Sequence, residues 1–241
     1  IVDKLYYDSE IDPEMLSYIK MFYDASVRTV DEAISALVRN LESQNIIDRT
    51  LLIITSDHGE EFLEHGAFGH VGKRYMTHMY EELLRIPLII IDFTDRLISK
   101  YLAKKLRDLE WSHIDLYPTI CGLLNLTRPS NVDGLDLVSE INKEPRTIIS
   151  EASLFNYMRG HRPIPLNEKI IIAIKKGPWK HICYDRFKEE LYKLDNDPRE
   201  TTNLVKDKVP ELDALRSIAL HRLRYIKRIL LRERIKTYRN N

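Results

Sequence analysis

The stretch LLIITSDHG, residues 51–59, combines a short apolar run with an abrupt change to polar residues. Residues 51–55 have the length and continuous apolar character of a buried strand, and a parallel strand fits them best. A helical periodicity over residues 12–43, opening at Asp12 and Pro13, precedes this strand. Helix, buried strand and polar loop is the order typical of an α/β sheet, in which ligands bind beyond the carboxyl ends of the strands. The sequence therefore predicts an α/β fold with a site just after residue 55.

The remaining patterns extend this prediction along the chain. Residues 86–91, IPLIII, predict a second buried strand that would bracket the polar loop. Ser112 is a candidate N-cap for a helix that reaches residue 124. Four short runs after residue 146, separated by turn residues, predict a small antiparallel sheet. We expect the α/β core to occupy residues 1–140.

The second half divides into two further predicted parts. Residues 141–209 should form the small antiparallel subdomain, and residues 210–241 a basic amphipathic terminal helix. The basic residues of this helix could attract nucleic acid or an anionic membrane. Its apolar stripe is also what a helix docking on its own domain requires, and we favour docking.

Composition narrows the function classes. The 241 residues include 37 basic and 37 acidic side chains, so net charge indicates neither nucleic acid nor a membrane as an obligatory partner. Cys121 and Cys183 lack the spacing of a disulfide framework, which favours a reducing compartment, the cytoplasm. No apolar run approaches the roughly 20 residues of a membrane span. The chain opens at Ile1 rather than Met, so we expect that it starts inside a longer reading frame or was processed.

Asp57 and His58 are candidate metal ligands. Neighbouring side chains on a strand point to opposite faces, so both can bind one ion only if the strand has already broken into a loop. Gly59 makes such a break plausible. A carboxylate with an imidazole leaves the identity of the metal open. The alternative is an N-cap aspartate beside a surface histidine.

The loop at residues 64–73, EHGAFGHVGK, carries two histidines, three glycines and a lysine. Beside a metal site, His70 or Lys73 could donate hydrogen bonds to an anionic group such as sulfate or phosphate. The alternative is an exposed loop with scattered charges. His78 and His113 lack comparable neighbours, and we expect both to be structural.

Several segments, in order, carry a resemblance to a known family. Together they resemble the central block and the terminal signature of the sulfatase family within the alkaline phosphatase superfamily. The segments are residues 55–60 (TSDHGE), 64–66 (EHG), 69–70 (GH), 80–82 (YEE), 85–90 (RIPLII), 113–120 (HIDLYPTI), 133–137 (DGLDL), 179–180 (WK) and 190–204 (ELYKLDNDPRETTNL).

The resemblance implies an alkaline-phosphatase-like α/β sandwich, of which this chain would be the carboxyl-terminal part. Asp57 and His58 match two ligands of the family's single divalent cation, with Ca, Mg and Mn left open. His70 matches the basic residue that contacts the transferred sulfuryl or phosphoryl group, and Lys73 is a weaker candidate for that role. The implied activity is hydrolysis of a small anionic sulfate ester. A phosphodiester or phosphonate monoester is the alternative substrate.

The sequence also departs from the family pattern. The family nucleophile, a formylglycine made from Cys or Ser in a Cys-or-Ser-x-Pro-x-Arg context, is not encoded here, and neither are its two amino-terminal acidic ligands. Cys121 and Cys183 lie in other contexts. We therefore expect the missing amino-terminal half to be a partner, and the chain alone to be inactive. The alternative is a non-catalytic subunit of a split protein.

Overall fold

A computed structural model describes residues 11–70, 78–128, 130–139, 145–153, 170–184 and 188–239. The helices are α1 (Pro13–Ser43), α2 (Glu81–Leu84), α3 (Lys100–Asp108), α4 (Leu116–Leu123) and α5 (Pro210–Arg239). The strands are β1 (Leu51–Thr55), β2 (Leu88–Asp92), β3 (Thr147–Ser153), β4 (Ile170–Lys176), β5 (Trp179–Cys183) and β6 (Glu189–Lys193). Among the described helices, none combines the length and apolar character needed to cross a bilayer.

The chain forms two compact units that do not follow the sequence order. One contains residues 13–56 and 87–146, with α1, the β1–β2 pair, α3 and α4. The other contains residues 57–86 together with 147–241, so the loop after β1 belongs to the same unit as the sheet β3–β6. The division at residues 140 and 209 that the sequence predicts stays a prediction.

Helix α1 has the limits that the sequence predicts. Pro13 occupies its first position, where the absent N–H would have had no helical partner. At the other end Asn45 adopts a left-handed conformation with φ of 54°. The next amide, that of Ile46, donates to the Leu41 carbonyl at 3.0 Å, which closes the helix. Although α1 is amphipathic, none of its residues is buried.

Strands β1 and β2 pair in antiparallel fashion, with Leu51 opposite Asp92 and Thr55 opposite Leu88. The parallel orientation predicted for residues 51–55 is therefore wrong. A continuous apolar run indicates burial but carries no information on strand direction, which depends on the connection between the strands. Burial is also lower than predicted, because β1 is only partly buried and Ile89 of β2 is exposed.

Asp115 ties together the segments on either side of α4. Its buried carboxylate accepts hydrogen bonds from the backbone N–H groups of Ser112 and Leu135 at 2.7 and 3.0 Å. Arg146 binds both oxygens at 2.6 and 3.1 Å. Ser112 thus caps a short 3₁₀ turn, His113–Asp115, that leads into α4, as the sequence indicates for this helix start.

Strands β3 to β6 form one antiparallel sheet in sequential order, which confirms the predicted sheet. One face of the sheet packs against α5. The helix contributes Leu212, Leu215, Ala219 and Leu223 to the buried cluster that also contains Ile172 and Ile174 of β4. The apolar stripe of the terminal helix therefore lies against its own unit.

Candidate metal and anion site

The chain leaves β1 at Thr55 and breaks sharply at Gly59. The Gly59 N–H donates to the Leu83 carbonyl at 2.9 Å, which holds the turn against α2. A Cβ built on Gly59 would overlap the carbonyl oxygen of Glu82. Only glycine permits this approach, and it allows the side chains of Asp57 and His58 to leave the alternation of a strand.

The position of the His58 ring determines which of its nitrogens carries hydrogen. Nδ1 lies 2.8 Å from the Gly59 carbonyl oxygen, which can only accept, so Nδ1 must carry the proton in the neutral ring. Nε2 lies 3.7 Å from Oδ2 of Asp57, and the other Asp57 oxygen accepts the His58 N–H at 3.0 Å. A lone pair and a carboxylate oxygen thus face each other, an arrangement that a bound cation stabilises. This donor set fits a divalent cation.

His70 lies beside this pair. Its ring centroid is 4.2 Å from that of His58, and its Nδ1 is 3.1 Å from Oε2 of Glu60. Ligand atoms from His58, Glu60 and His70, one from each, lie within 4.8 Å of one another. Sequence reasoning assigned no role to Glu60. The sequence signal that could have identified Glu60 is its position two residues after His58, in the loop that follows β1.

Glu61 holds the loop that carries His70. Its buried carboxylate accepts the N–H groups of His65 and Ala67 at 2.7 and 3.0 Å and contacts Nε2 of His78. Its own carbonyl accepts the Gly69 N–H at 2.9 Å. Burial alone would raise the pKa of Glu61, but the hydrogen bonds from His78, Ala67 and His65 hold that pKa below its ordinary value. Glu61 therefore stays charged and fixes the loop.

His65 packs against the other side of the loop. Its ring stacks on Tyr80 with centroids 3.7 Å apart, and its Nδ1 lies 3.5 Å from Oε2 of Glu82. Its Nε2 is 3.3 Å from the carbonyl oxygen of Glu200, in the segment that follows β6. We therefore assign His65 to loop support rather than chemistry.

The structure brings Asp57, His58 and His70 together, whereas Lys73 lies outside the described residues. Their roles as ligands and anion contacts stay predictions. His78 is buried in its pair with Glu61, and His113 places Nε2 2.8 Å from the carbonyl oxygen of Ser56. Both contacts are of the kind that stabilises a fold.

Comparison with known proteins identifies the family. A sequence model of the protein family described as Sulfatase matches residues 19–126 of the chain. A choline-sulfatase of Rhizobium meliloti is 28% identical over 206 residues, which are 84% of this chain and 36% of that protein. Residues 19–126 therefore match the sulfatase family, and relatives named as sulfatases align over a wider span of the chain. An N-acetylglucosamine-6-O-sulfatase of Bacteroides thetaiotaomicron, another sulfatase, is 30% identical over 184 residues, 76% of this chain and 31% of the relative.

Solved structures show that this chain has the alkaline-phosphatase-like α/β fold. The phosphonate monoester hydrolase of Agrobacterium radiobacter superposes with a TM-score of 0.64 at 22% identity, over 92% of this chain and 43% of that one. The chain spans about a third of the length of the two curated sulfatases, 36% and 31%.

Proposed function

We propose that this chain takes part in the metal-dependent hydrolysis of a sulfate ester, with a small anionic ester as substrate. The observation that carries the proposal is the Nε2 lone pair of His58 facing the Asp57 carboxylate 3.7 Å away, with His70 alongside. This geometry supports a cation-binding pair beside a residue that contacts an anion. The curated relatives named as sulfatases support the same reaction class.

Each residue has a distinct part in this reaction. Asp57 and His58 hold a divalent cation, for which Ca²⁺, Mg²⁺ and Mn²⁺ are candidates. When bound, this cation neutralises negative charge on the transferred group. Glu60 Oε2, 3.1 Å from Nδ1 of His70, holds the His70 ring, which contacts an oxygen of the ester. Lys73 is a further, weaker anion contact.

The attacking group has to come from another segment. The sequence has no Cys-or-Ser-x-Pro-x-Arg motif from which the family's formylglycine could form. The partner that we propose is the missing amino-terminal half of the sulfatase domain, which would also supply two acidic ligands. The exposed apolar surface of helix α1 supports the proposal of such a partner. Phe22 is 74% exposed and Val30 is 57% exposed, so both side chains are available to a second polypeptide.

A turnover assay tests both parts of the proposal. We expect no hydrolysis of an aryl sulfate by the purified chain, and hydrolysis once a polypeptide supplies the nucleophile and the two acidic ligands. Asp57→Ala and His70→Ala should then abolish turnover, while His221→Ala, which removes an exposed histidine of α5, should leave it unchanged.

Three outcomes of this assay would contradict the proposed function. Turnover by the chain alone that Asp57→Ala abolishes would mean that this chain contains a nucleophile. Hydrolysis of an aryl phosphonate or phosphodiester, but not of the aryl sulfate, would favour the alternative substrate class. No turnover of any ester by the completed protein would favour a non-catalytic subunit.

We also propose the cytoplasm as the location of the chain. Cys121 and Cys183 are both buried, and neither forms a disulfide bond within the part of the chain that the structure describes, which supports a reducing compartment. Quantitative thiol labelling of the unfolded protein, purified without reductant, would test this. Fewer than two reactive thiols per chain would contradict it.

A further inference from the structure

We propose that the outward face of α5 is a binding surface for an anionic membrane. The opposite face of this helix is already occupied. It packs on the sheet β3–β6 through the side chains of Leu212, Leu215, Ala219, Leu223, Ile226 and Leu230. Docking on the sheet therefore fixes the rotation of α5 about its own axis and determines which side chains the helix presents to solvent.

A row of arginines lies along the outward face. Arg224, Arg228 and Arg232, the arginine row, recur every four residues, so they share one side of the helix and span about 12 Å along its axis. All three residues are exposed, and so is the neighbouring Lys227. No Asp or Glu occurs in residues 214–232. The row therefore concentrates positive charge on a chain whose formal net charge is zero.

Other arginines of α5 have partners on the sheet. Arg216 Nη2 lies 2.6 Å from Oε1 of Glu189. Arg222 Nη2 lies 3.2 Å from Oε2 of Glu151. By contrast, no carboxylate among the described residues forms an ion pair with a member of the arginine row. Because like charges four residues apart destabilise a helix, the row indicates an anionic partner outside the chain.

Apolar side chains flank the arginine row. Tyr225, Ile229 and Leu231 are 49%, 39% and 46% exposed. With about 100° of rotation per residue, Leu231 lies on one side of the row and Tyr225 and Ile229 lie on the other. The interfacial region of a bilayer accommodates aromatic and aliphatic groups beside anionic headgroups. Contacts with nucleic acid are mostly polar contacts to phosphate and sugar, so these side chains favour a membrane over DNA or RNA.

The attachment that this surface supports is peripheral and electrostatic. The apolar stripe of α5 stays docked on the sheet, so only the flanking apolar side chains can enter the interface. Each basic residue near an anionic bilayer strengthens binding about fivefold, and the attraction is screened by salt. Binding should therefore require anionic lipid and weaken as the salt concentration rises.

Co-sedimentation of the full-length chain with vesicles tests the surface. We expect binding to vesicles of phosphatidylcholine and phosphatidylglycerol in equal parts, and no binding to phosphatidylcholine alone. The triple variant Arg224→Gln/Arg228→Gln/Arg232→Gln should bind the anionic vesicles roughly 100-fold more weakly, since each lost charge costs about fivefold. Glutamine has a helix propensity close to that of arginine, so the helix should persist.

A charge-matched variant is the control. The triple variant Arg199→Gln/Lys206→Gln/Lys208→Gln removes three exposed charges from the same unit but outside α5, and it should retain vesicle binding. Near-ultraviolet circular dichroism will show whether each variant is folded. If the arginine-row variant is not, the single variant Arg228→Gln decides the result, with an expected loss of about fivefold.

Leu231→Ala tests the apolar contribution. It should weaken binding to the anionic vesicles without changing the dependence on salt, because it removes apolar contact and no charge.

Four outcomes would overturn the membrane surface. They are equal vesicle binding by wild type and the folded arginine-row variant, equal losses in the two triple variants, unchanged vesicle binding in Leu231→Ala, and tighter binding to a DNA duplex or to RNA than to the vesicles. The last outcome would assign the arginine row to nucleic acid. These measurements need no hydrolytic activity, so the proposed function can fail while the vesicle binding stands.

Discussion

Lys180 Nζ lies 2.8 Å from Oε1 of Glu200, and the two side chains are 1% and 0% exposed. Lys180 also lies 2.9 Å from Glu81 at the start of α2, and Glu200 accepts the Glu81 N–H at 2.6 Å. Burial raises the pKa of Glu200, and the Lys180 ammonium offsets only part of this shift. These buried charges connect β5 and the segment after β6 to the helix on which the Gly59 turn rests.

Lys180→Met should destabilise the protein by about 3–5 kcal/mol, because it leaves the buried Glu200 carboxylate without its counter-charge. The double variant Lys180→Met/Glu200→Gln should lose less than the sum of the two single variants. Urea unfolding of the single and double variants measures these losses of stability. The exposed pair Arg28–Glu32 on α1 is the control, where Glu32→Gln should cost no more than about 0.5 kcal/mol. A loss below 1 kcal/mol for Lys180→Met would contradict the importance of the buried pair.

Glu61→Gln should loosen the loop that leads to His70. The variant keeps the size of the side chain but replaces a charged acceptor of hydrogen bonds with a neutral amide, at a cost of about 1.5–3 kcal/mol. Hydrogen exchange at the amides of His65 and Ala67, which donate to Glu61, should accelerate. Glu64→Gln, an exposed carboxylate in the same loop, should leave both amides protected. Equal protection in the two variants would refute this role of Glu61.

Loss of Glu61 should also change the response to acid. A carboxyl whose pKa is lowered on folding contributes stability that is present above its unfolded pKa, about 4.3, and lost as pH falls through the folded value. Wild type should therefore lose its stability advantage over Glu61→Gln below about pH 4.3. Thermal unfolding between pH 6 and 3 measures this, and parallel curves for the two proteins would contradict it.

Gly59→Ala and Gly66→Ala should differ in their effect on metal binding. At Gly59 the new methyl group overlaps the Glu82 carbonyl, so the turn that orients His58 must shift, at a cost of about 1–3 kcal/mol. At Gly66 no neighbour lies within 4 Å, and the penalty, about 1–2 kcal/mol, comes from its φ of +79°. Calorimetric titration with Mg²⁺ and Mn²⁺ should show lost affinity in Gly59→Ala only. Similar losses in both variants would contradict the geometric explanation.

His181 should make stability fall in mild acid. Burial lowers its pKa, an effect that its hydrogen bond and charge interaction with Glu189 oppose and the charge of Arg216 reinforces. The unfolded chain then binds the proton more readily, so this contribution is complete above about pH 6.5 and is lost as pH falls toward the folded pKa. His181→Gln should lose less thermal stability than wild type between pH 7.5 and 5.5. His221→Gln is the matched control, and equal pH dependence in wild type and His181→Gln would rule out the assignment.

Leu215→Ala should destabilise the docked terminal helix by about 2–5 kcal/mol, because Leu215 is 2% exposed in the cluster between α5 and the sheet. Leu231→Ala, on the same helix but 46% exposed, should change stability by no more than about 0.5 kcal/mol. Chemical denaturation compares the two. Removal of residues 210–241 should destabilise the protein further. If the truncated protein keeps its stability but loses salt-sensitive binding to anionic vesicles or DNA, the result instead favours a separate binding role for the helix.

Local sequence patterns predicted the secondary structure of this chain well. Pro13 at a helix start and the alternation of turn and β residues after residue 146 are signals that act over a few residues, so they can be recognised without tertiary information. Motif spacing likewise brought Asp57, His58 and His70 into one predicted site. The structure places their side chains together.

Only the tertiary structure decided how strands pair and which acidic residues serve the site. The apolar run of β1 is equally compatible with either strand direction, and the chain connection made the pairing with β2 antiparallel. Glu60 and Glu61 are adjacent and chemically identical, yet Glu60 contacts His70 while Glu61 is buried against His78. Their environments differ because Gly59 turns the backbone against α2, through a contact with a residue 24 positions later, Leu83, that no local pattern records.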